Sequence, residues 1–448
     1  SDLLGSLTGQ LPTDLPDGIA DLVESITSLL GGITDDLSAI LTSGGQLAAS
    51  TLRDLALLQT QLVSLIGAVG GNLTSEVTTI INVVITDILE LLGTVLEGEN
   101  GGNGTTEEML RSDILGDVKS IKVKKDISNI FLNIVGDLKS LSVGGSLIGG
   151  TSANSGEIFT TGDVGKVTIK KNILGGMNLN SGLIQSSGQI IATKIGGSIV
   201  GGVGNSSGEL LMDSDAKMIQ IKGDLIGNEG LFAASIDSTN GSIGKIKIGG
   251  SIVSGLNTDS GSIRVLGTLG SLAIKGNVIG DDENAVFISA AATKDGSAEA
   301  FNQVKIGGRV AFANILGGYN TDLEAVNAHA QIGKVMVKGD WIGSNLVAGA
   351  VSGSTEPEDF GTNSDAAISN SVPGSLLSRI ASVQIKGTVM GTAGDTGDNF
   401  GFVAQEIGKF KYGKNKLKLV AGAGNDAVKM SQTTGEDVAI HEIGATLT

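Results

Sequence analysis

Few side chains in these 448 residues are of types that do chemistry. The chain has no cysteine, which excludes disulfides, thiolate catalysis and thiolate metal sites. Its two histidines are His329, in a polar stretch, and His441, in the terminal V-A-I-H-E-I; no serine nucleophile signature accompanies either. Acids gather at Asp281-Asp282-Glu283 and at Glu356, Glu358 and Asp359. Paired carboxylates at a sugar-cleaving centre would act as general acid and base, whereas acids in polar loops are ordinarily solvated. Gly424, Asn425 and Asp426 lie in A-G-A-G-N-D-A-V (421–428), which follows the calcium-binding pattern G-G-x-G-x-D-x-U with Ala421 in place of the first glycine. Such sites draw ligands from successive turns and no tandem copy is present, so a plain turn is expected, with calcium as the alternative. No other cofactor is indicated, and the expectation is that the chain is not an enzyme.

The elements that must carry these residues are repeats. The stretch I-G-K-I-K-I-G-G-S-I-V-S-G (243–255) recurs as V-G-K-V-T-I-K-K-N-I-L-G-G from Val164 and as I-G-K-V-M-V-K-G-D-W-I-G-S from Ile332. Aligned on the central apolar residue, position 0, the copies fall at Val143, Ile169, Ile195, Ile221, Ile248, Ile274, Ile306, Val337, Ile385 and Tyr412. The regular spacing is 26 or 27 residues, lengthening to 32, 31 and 48 towards the end. Apolar residues also recur at −5 and −2, at the +4/+5 pair, and at Ile158, Ile184, Leu210, Ile236 and Ile263. Glycine at +2 followed by Asn, Asp or Ser reads as a bend in which the polar side chain bonds the local backbone. The fold class expected is mainly β: a parallel β-solenoid of about 26-residue coils, three short strands each, with an N-terminal α-helical segment.

Two columns carry finer expectations. From Ile169 onward, +1 is Gly wherever −1 is Lys, and −1 is uncharged wherever +1 is Lys. Stacked coils stand about 4.8 Å apart, so this stagger reads as avoidance of like charges placed directly opposite. Its one break, Lys338 followed by Lys386, spans the 48-residue interval and suggests an unrecognised coil inside it. The +5 column (Leu174, Val200, Ile226, Val253, Ile279, Ile342, Met390) is expected to line the core; an exposed apolar stripe is the other reading.

Taken in order, residues 1–97 show helical periodicity, 98–116 form a Gly-rich linker and lead-in, 117–412 hold the coils, and 413–448 form a terminal cap. Insertions are read at 281–297, 317–330 and 347–379. The last helix carries Val77, Ile81, Val84, Ile88, Leu92 and Val95 on an apolar face, a candidate for packing against another copy. Acids interrupt it, so no membrane span is expected. The net charge of −17 argues against nucleic acid and anionic lipid. Ser1 in place of methionine suits removal of a signal peptide.

The coil pattern from Asp117 to Tyr412 resembles the repeats of secreted bacterial β-solenoid proteins of the adhesin and autotransporter-passenger type. The resemblance implies an extracellular or cell-surface location. The first expectation for function is a structural subunit that self-assembles as a homopolymer into a surface fibre or layer. The second is an adhesin that takes a surface glycan or protein ligand on loops 281–297 and 347–379; the third is a carbohydrate-active enzyme. The lone Trp341 sits at a buried strand position and counts against a sugar-binding platform.

Overall fold

A strand that buries every inward residue and is hydrogen-bonded on both edges needs an identical neighbour above and below. The repeat supplies one at every coil. The computed structural model describes residues 109–447 except 258, 294–297, 355–358, 370–375, 393–397 and 431–437. They belong to one compact unit, Met109–Thr448, built of strands with no α-helix among the described residues. The chain is a parallel β-solenoid. Three sheets of 13, 12 and 10 strands, here sheets I, II and III, run along it; each regular coil adds one parallel strand to each, and Asn415–Lys416 and Ala427–Lys429 add antiparallel strands at the end of II and I. The helical segment and its candidates Val77, Ile81, Val84, Ile88, Leu92 and Val95 lie outside the described residues.

Position 0 is the register of sheet II. Ile195 pairs with Ile221, Ile221 with Ile248, and Ile248 with Ile274. Positions −5, −2 and 0 all point inward, as in Ile243, Ile246 and Ile248, each at most 1% exposed. Ile158, Ile184, Leu210, Ile236 and Ile263 form the matching column of sheet I. Trp341 is completely buried, its ring centroid 5.1 Å from that of Phe402 and tilted by 38°, with its indole N–H donated to the carbonyl of Ser344 at 2.9 Å.

Four details differ from the sequence reading. The 48-residue interval holds no hidden coil: Val337 pairs directly with Ile385, and the excess is an insertion. Lys338 and Lys386 therefore occupy the same column in successive coils, so like charge does not by itself forbid stacking. Glycine at +1 has a steric cause in four of the coils. A Cβ added to Gly144, Gly196, Gly249 or Gly307 would overlap the carbonyl oxygen of the lysine one coil earlier. At +5 the side chains are half-buried on the outer surface of sheet III, and only +4 enters the core. Strands there are two residues long, so parity simply alternates across the pair. Finally, coils start earlier than 117, with a strand at Leu110–Leu115, and the stretch read as an insertion at 281–297 contains a sheet I strand, Val286–Ala290.

Two of the three corners are closed by side chains that reach the next coil, the third by serines that cap their own. At +3, Asn172 Oδ1 accepts the backbone N–H of Ser198 (2.9 Å), Ser198 Oγ that of Asp224 (3.0 Å), Asp224 Oδ1 that of Ser251 (2.7 Å), and Ser251 Oγ that of Asn277 (3.0 Å). A second ladder climbs the corner before sheet II through Asp117, Asp137 and Asp163. At the third corner, buried Ser181, Ser207 and Ser260 each accept a glycine N–H five residues back. Each ladder satisfies donors that a bend would otherwise leave without partners.

These observations set two expected outcomes. Ile248→Asp places a lone charge in the stack and should cost several kcal/mol; unchanged thermal stability would contradict the inward assignment. Gly249→Ala should cost about 1–3 kcal/mol by overpacking, equally at low and high salt. A loss seen with lysine but not alanine at this position, and relieved by salt, would restore the electrostatic explanation.

Candidate functional site

The late insertions converge on the outer surface of sheet I. There the alternate residues Phe287, Leu316, Val347 and Val403 face away from the solenoid core and join Tyr319, Ala350 and Phe360 in a second, external core. The excursion after Val347 returns as a short antiparallel pair, Ala350–Val351 with Ala366–Ala367. Beside this external core lies a cleft of about 340 Å³. Asp281, Asp282 and Glu283 form one wall, and Asp359 and Asp398 contribute further acids; Phe312 and Phe400 supply apolar surface. Its floor includes Asn314 and Asn345, where Asn345 Nδ2 donates to Asn314 Oδ1 at 2.8 Å. No described lysine, arginine or histidine lines it.

The cleft thus brings together acids from both loops singled out in the sequence. Asp281 Oδ1 is occupied as a turn cap, accepting the N–H groups of Glu283 (3.1 Å) and Asn284 (2.7 Å). Asp359 Oδ1 accepts the N–H of Asn399 at 2.8 Å, which ties the 347–379 insertion to the segment leading into the strand Phe400–Ala404. Glu356 and Glu358 lie outside the described residues. Such an arrangement attracts cations; it offers no described base beside a nucleophile.

The calcium candidates form a turn. Asp426 Oδ2 accepts the N–H of Val420 at 2.9 Å, and Asn425 Nδ2 donates to the carbonyl of Ala421 at 3.3 Å. The backbone N–H groups of Asn425 and Asp426 both donate to the buried carboxylate of Glu442, at 3.0 and 3.2 Å. Among the described residues no group of three or more His, Cys, Asp or Glu side chains could hold a metal ion.

Two buried ionic clusters escaped the sequence. His441 Nδ1 lies 2.8 Å from Asp365 Oδ2, and its Nε2 lies 3.1 Å from the carbonyl of Ala445. Both ring nitrogens therefore face acceptors, and the arrangement fits an imidazolium. Burial works against the charge, but the carboxylate and the carbonyl outweigh it, and the pKa rises above its usual 6.5. The pair pins the 347–379 insertion to the terminal strand Val438–Glu442; 76 residues separate the partners, and no periodicity links them. His329 Nδ1 lies 2.6 Å from the carbonyl of Leu376. His441 thus meets a carboxylate and a carbonyl, not a serine hydroxyl.

The other cluster sits on sheet I, where Arg264 stands directly opposite Asp237 in the next strand. Its Nε and Nη2 donate to the two carboxylate oxygens at 3.0 and 2.7 Å, and the guanidinium lies 4.2 Å from the Phe232 ring centroid. Phe232 takes φ +58° at the turn position where Asn154 and Asn180 stand in earlier coils. Burial, and then neighbouring Asp237, raise the pKa of Glu209 well above the usual carboxylate range.

No protein-family model, curated protein or solved structure matches this chain. Functional inference therefore rests on the geometry.

The histidine pin has a definite pH signature. Because its folded pKa is raised, its contribution is fully present below about pH 6.5 and is lost as pH rises through the folded value. Thermal melting followed across pH 5–9 should show wild-type stability falling on the alkaline side. His441→Gln should flatten that fall; an unchanged slope would locate the titration elsewhere.

Proposed function

We propose that the chain is an extracellular structural protein that self-associates laterally, copy against copy, as a subunit of a surface fibre or layer. The supporting observation is the +5 column. Leu174, Val200, Ile226, Val253 and Ile279 are half-buried on successive strands of sheet III, each opposite its counterparts in the coils on either side, with Ile148 and Ala311 continuing the column. Ten strands at about 4.8 Å make a ladder of roughly 43 Å. Beside it in sequence, the corner loops expose Met177, Leu179, Leu231 and Leu256. A long apolar strip is the usual mark of an interface. A second copy suits it because it carries the same ladder at the same pitch, so two strips meet coil by coil. Such a contact is isologous and pairs copies. The apolar stretch 77–95, whose periodicity reads as a helix, would then join pairs head to tail.

The adhesin reading retains one specific support, the cleft walled by Asp281–Glu283, Asp359 and Asp398 with Phe312 and Phe400, which fits a cationic ligand.

The double variant Val200→Lys, Ile226→Lys should remain folded by circular dichroism and shift the full chain to smaller species in sedimentation and negative-stain microscopy. Removal of residues 1–104 should leave pairs but abolish longer assemblies. Wild-type assemblies from the lysine variant would sink the stripe as the contact.

A further inference from the structure

The outer surface of sheet II separates charge from the rest of the molecule. Its outward positions are −4, −3, −1 and +1 in the eleven coils centred on Val123 to Tyr412. Eleven coils with four such positions give 44 sites, of which 18 are lysine and none is aspartate or glutamate. No arginine and no aromatic residue occurs there either. All 18 lysines are exposed except Lys245, which is half-buried. None ion-pairs with another described residue. In a chain of net charge −17, one face thus carries +18 and everything else −35. The expectation drawn from net charge, against nucleic acid and anionic lipid, rests on the whole-chain sum and not on the sign of this face.

The lysines are also ordered. Lys170, Lys194, Lys222, Lys247, Lys275 and Lys305 alternate between +1 and −1 on six successive strands. One ammonium therefore advances per coil, about 4.8 Å along the axis, zigzagging between columns about 7 Å apart. Glycine, required at the intervening +1 sites, keeps the strip open. Uncharged Thr168 and Gln220 alternate with the lysines in the −1 column and offer hydrogen bonds.

We propose that this face binds a linear anionic polysaccharide, carrying carboxylate or sulfate groups along its length, laid parallel to the solenoid axis. Lysine supplies hydrated point charges without the bidentate geometry of arginine. The long, narrow strip matches a single polymer chain whose charges recur along one direction. Hydroxyl and amide side chains between the charges suit sugar hydroxyls. Single-stranded nucleic acid would call for aromatic stacking platforms, and an interfacial membrane site for apolar or aromatic anchors; the face has no aromatic residue. The proposal is independent of lateral self-association through sheet III.

The test uses the full chain and four probes: polygalacturonate, heparin, duplex DNA and phosphatidylglycerol-containing vesicles. Binding is measured by titration calorimetry and co-sedimentation over a range of salt. Wild type should bind at least one polysaccharide more tightly than DNA or vesicles, with affinity falling steeply as salt rises. Lys194→Gln/Lys222→Gln/Lys247→Gln should weaken that binding about ten-fold or more and lower the logarithmic salt slope by roughly 2–3. The equal-charge control Arg111→Gln/Arg309→Gln/Lys429→Gln, whose residues lie on sheet I (Arg111, Lys429) and at the corner after sheet II (Arg309), should stay within about two-fold of wild type. Circular dichroism verifies that both are folded. Equal weakening by the two triples would overturn the proposal, as would tighter binding of DNA or vesicles. So would absence of polysaccharide binding, including the case where the face triple instead disrupts association between copies.

Discussion

Every feature of this solenoid answers to one constraint: each residue lies about 4.8 Å from its counterpart in the coil above and the coil below. Inside, that proximity rewards identical β-branched residues, because Ile221, Ile248 and Ile274 stack without a gap. At the corners it sets a harder problem, since bends break the ladder of backbone hydrogen bonds. The molecule meets it with side-chain oxygens that reach across to the next coil, and glycine stands where those oxygens come close. Asn172, Ser198 and Asp224 are thus as structural as the isoleucines.

The periodic part of this was legible in the sequence, because registered stacking writes itself as a period. Positions −5, −2 and 0 could be assigned from a column of apolar residues alone. The +5 column could not, since a two-residue strand has too few positions to display its own alternation. The 48-residue interval misled because an insertion of 22 residues has nearly the length of a coil. The stagger of glycine and lysine was visible, but only coordinates reveal the carbonyl of Lys222 beneath Gly249. The Asp365–His441 pair left no trace, as both residues belong to non-repeating segments.

The site itself shows the same division. The acids at 281–283 and 359 were visible as composition, and their convergence on one cleft depends on how two insertions fold over sheet I. The lysines of sheet II were visible one by one, yet net charge concealed them. Summing over a chain discards direction, and a solenoid sorts residues by direction. Side chains four positions apart in the coil can belong to surfaces of opposite sign.

The late coils lengthen from 26 residues to 32, 31 and 48 while the registers of Ile306, Val337 and Ile385 stay intact. Added sequence leaves the stack at a corner and rejoins it at the same position. A gene encoding such a protein can therefore acquire a new loop in a single insertion without renegotiating the rest of the molecule. The spacing of the lysine face, fixed by the stack, would survive the change. Descendants of one ancestor could thus diverge widely along one edge while keeping an identical ruler along another.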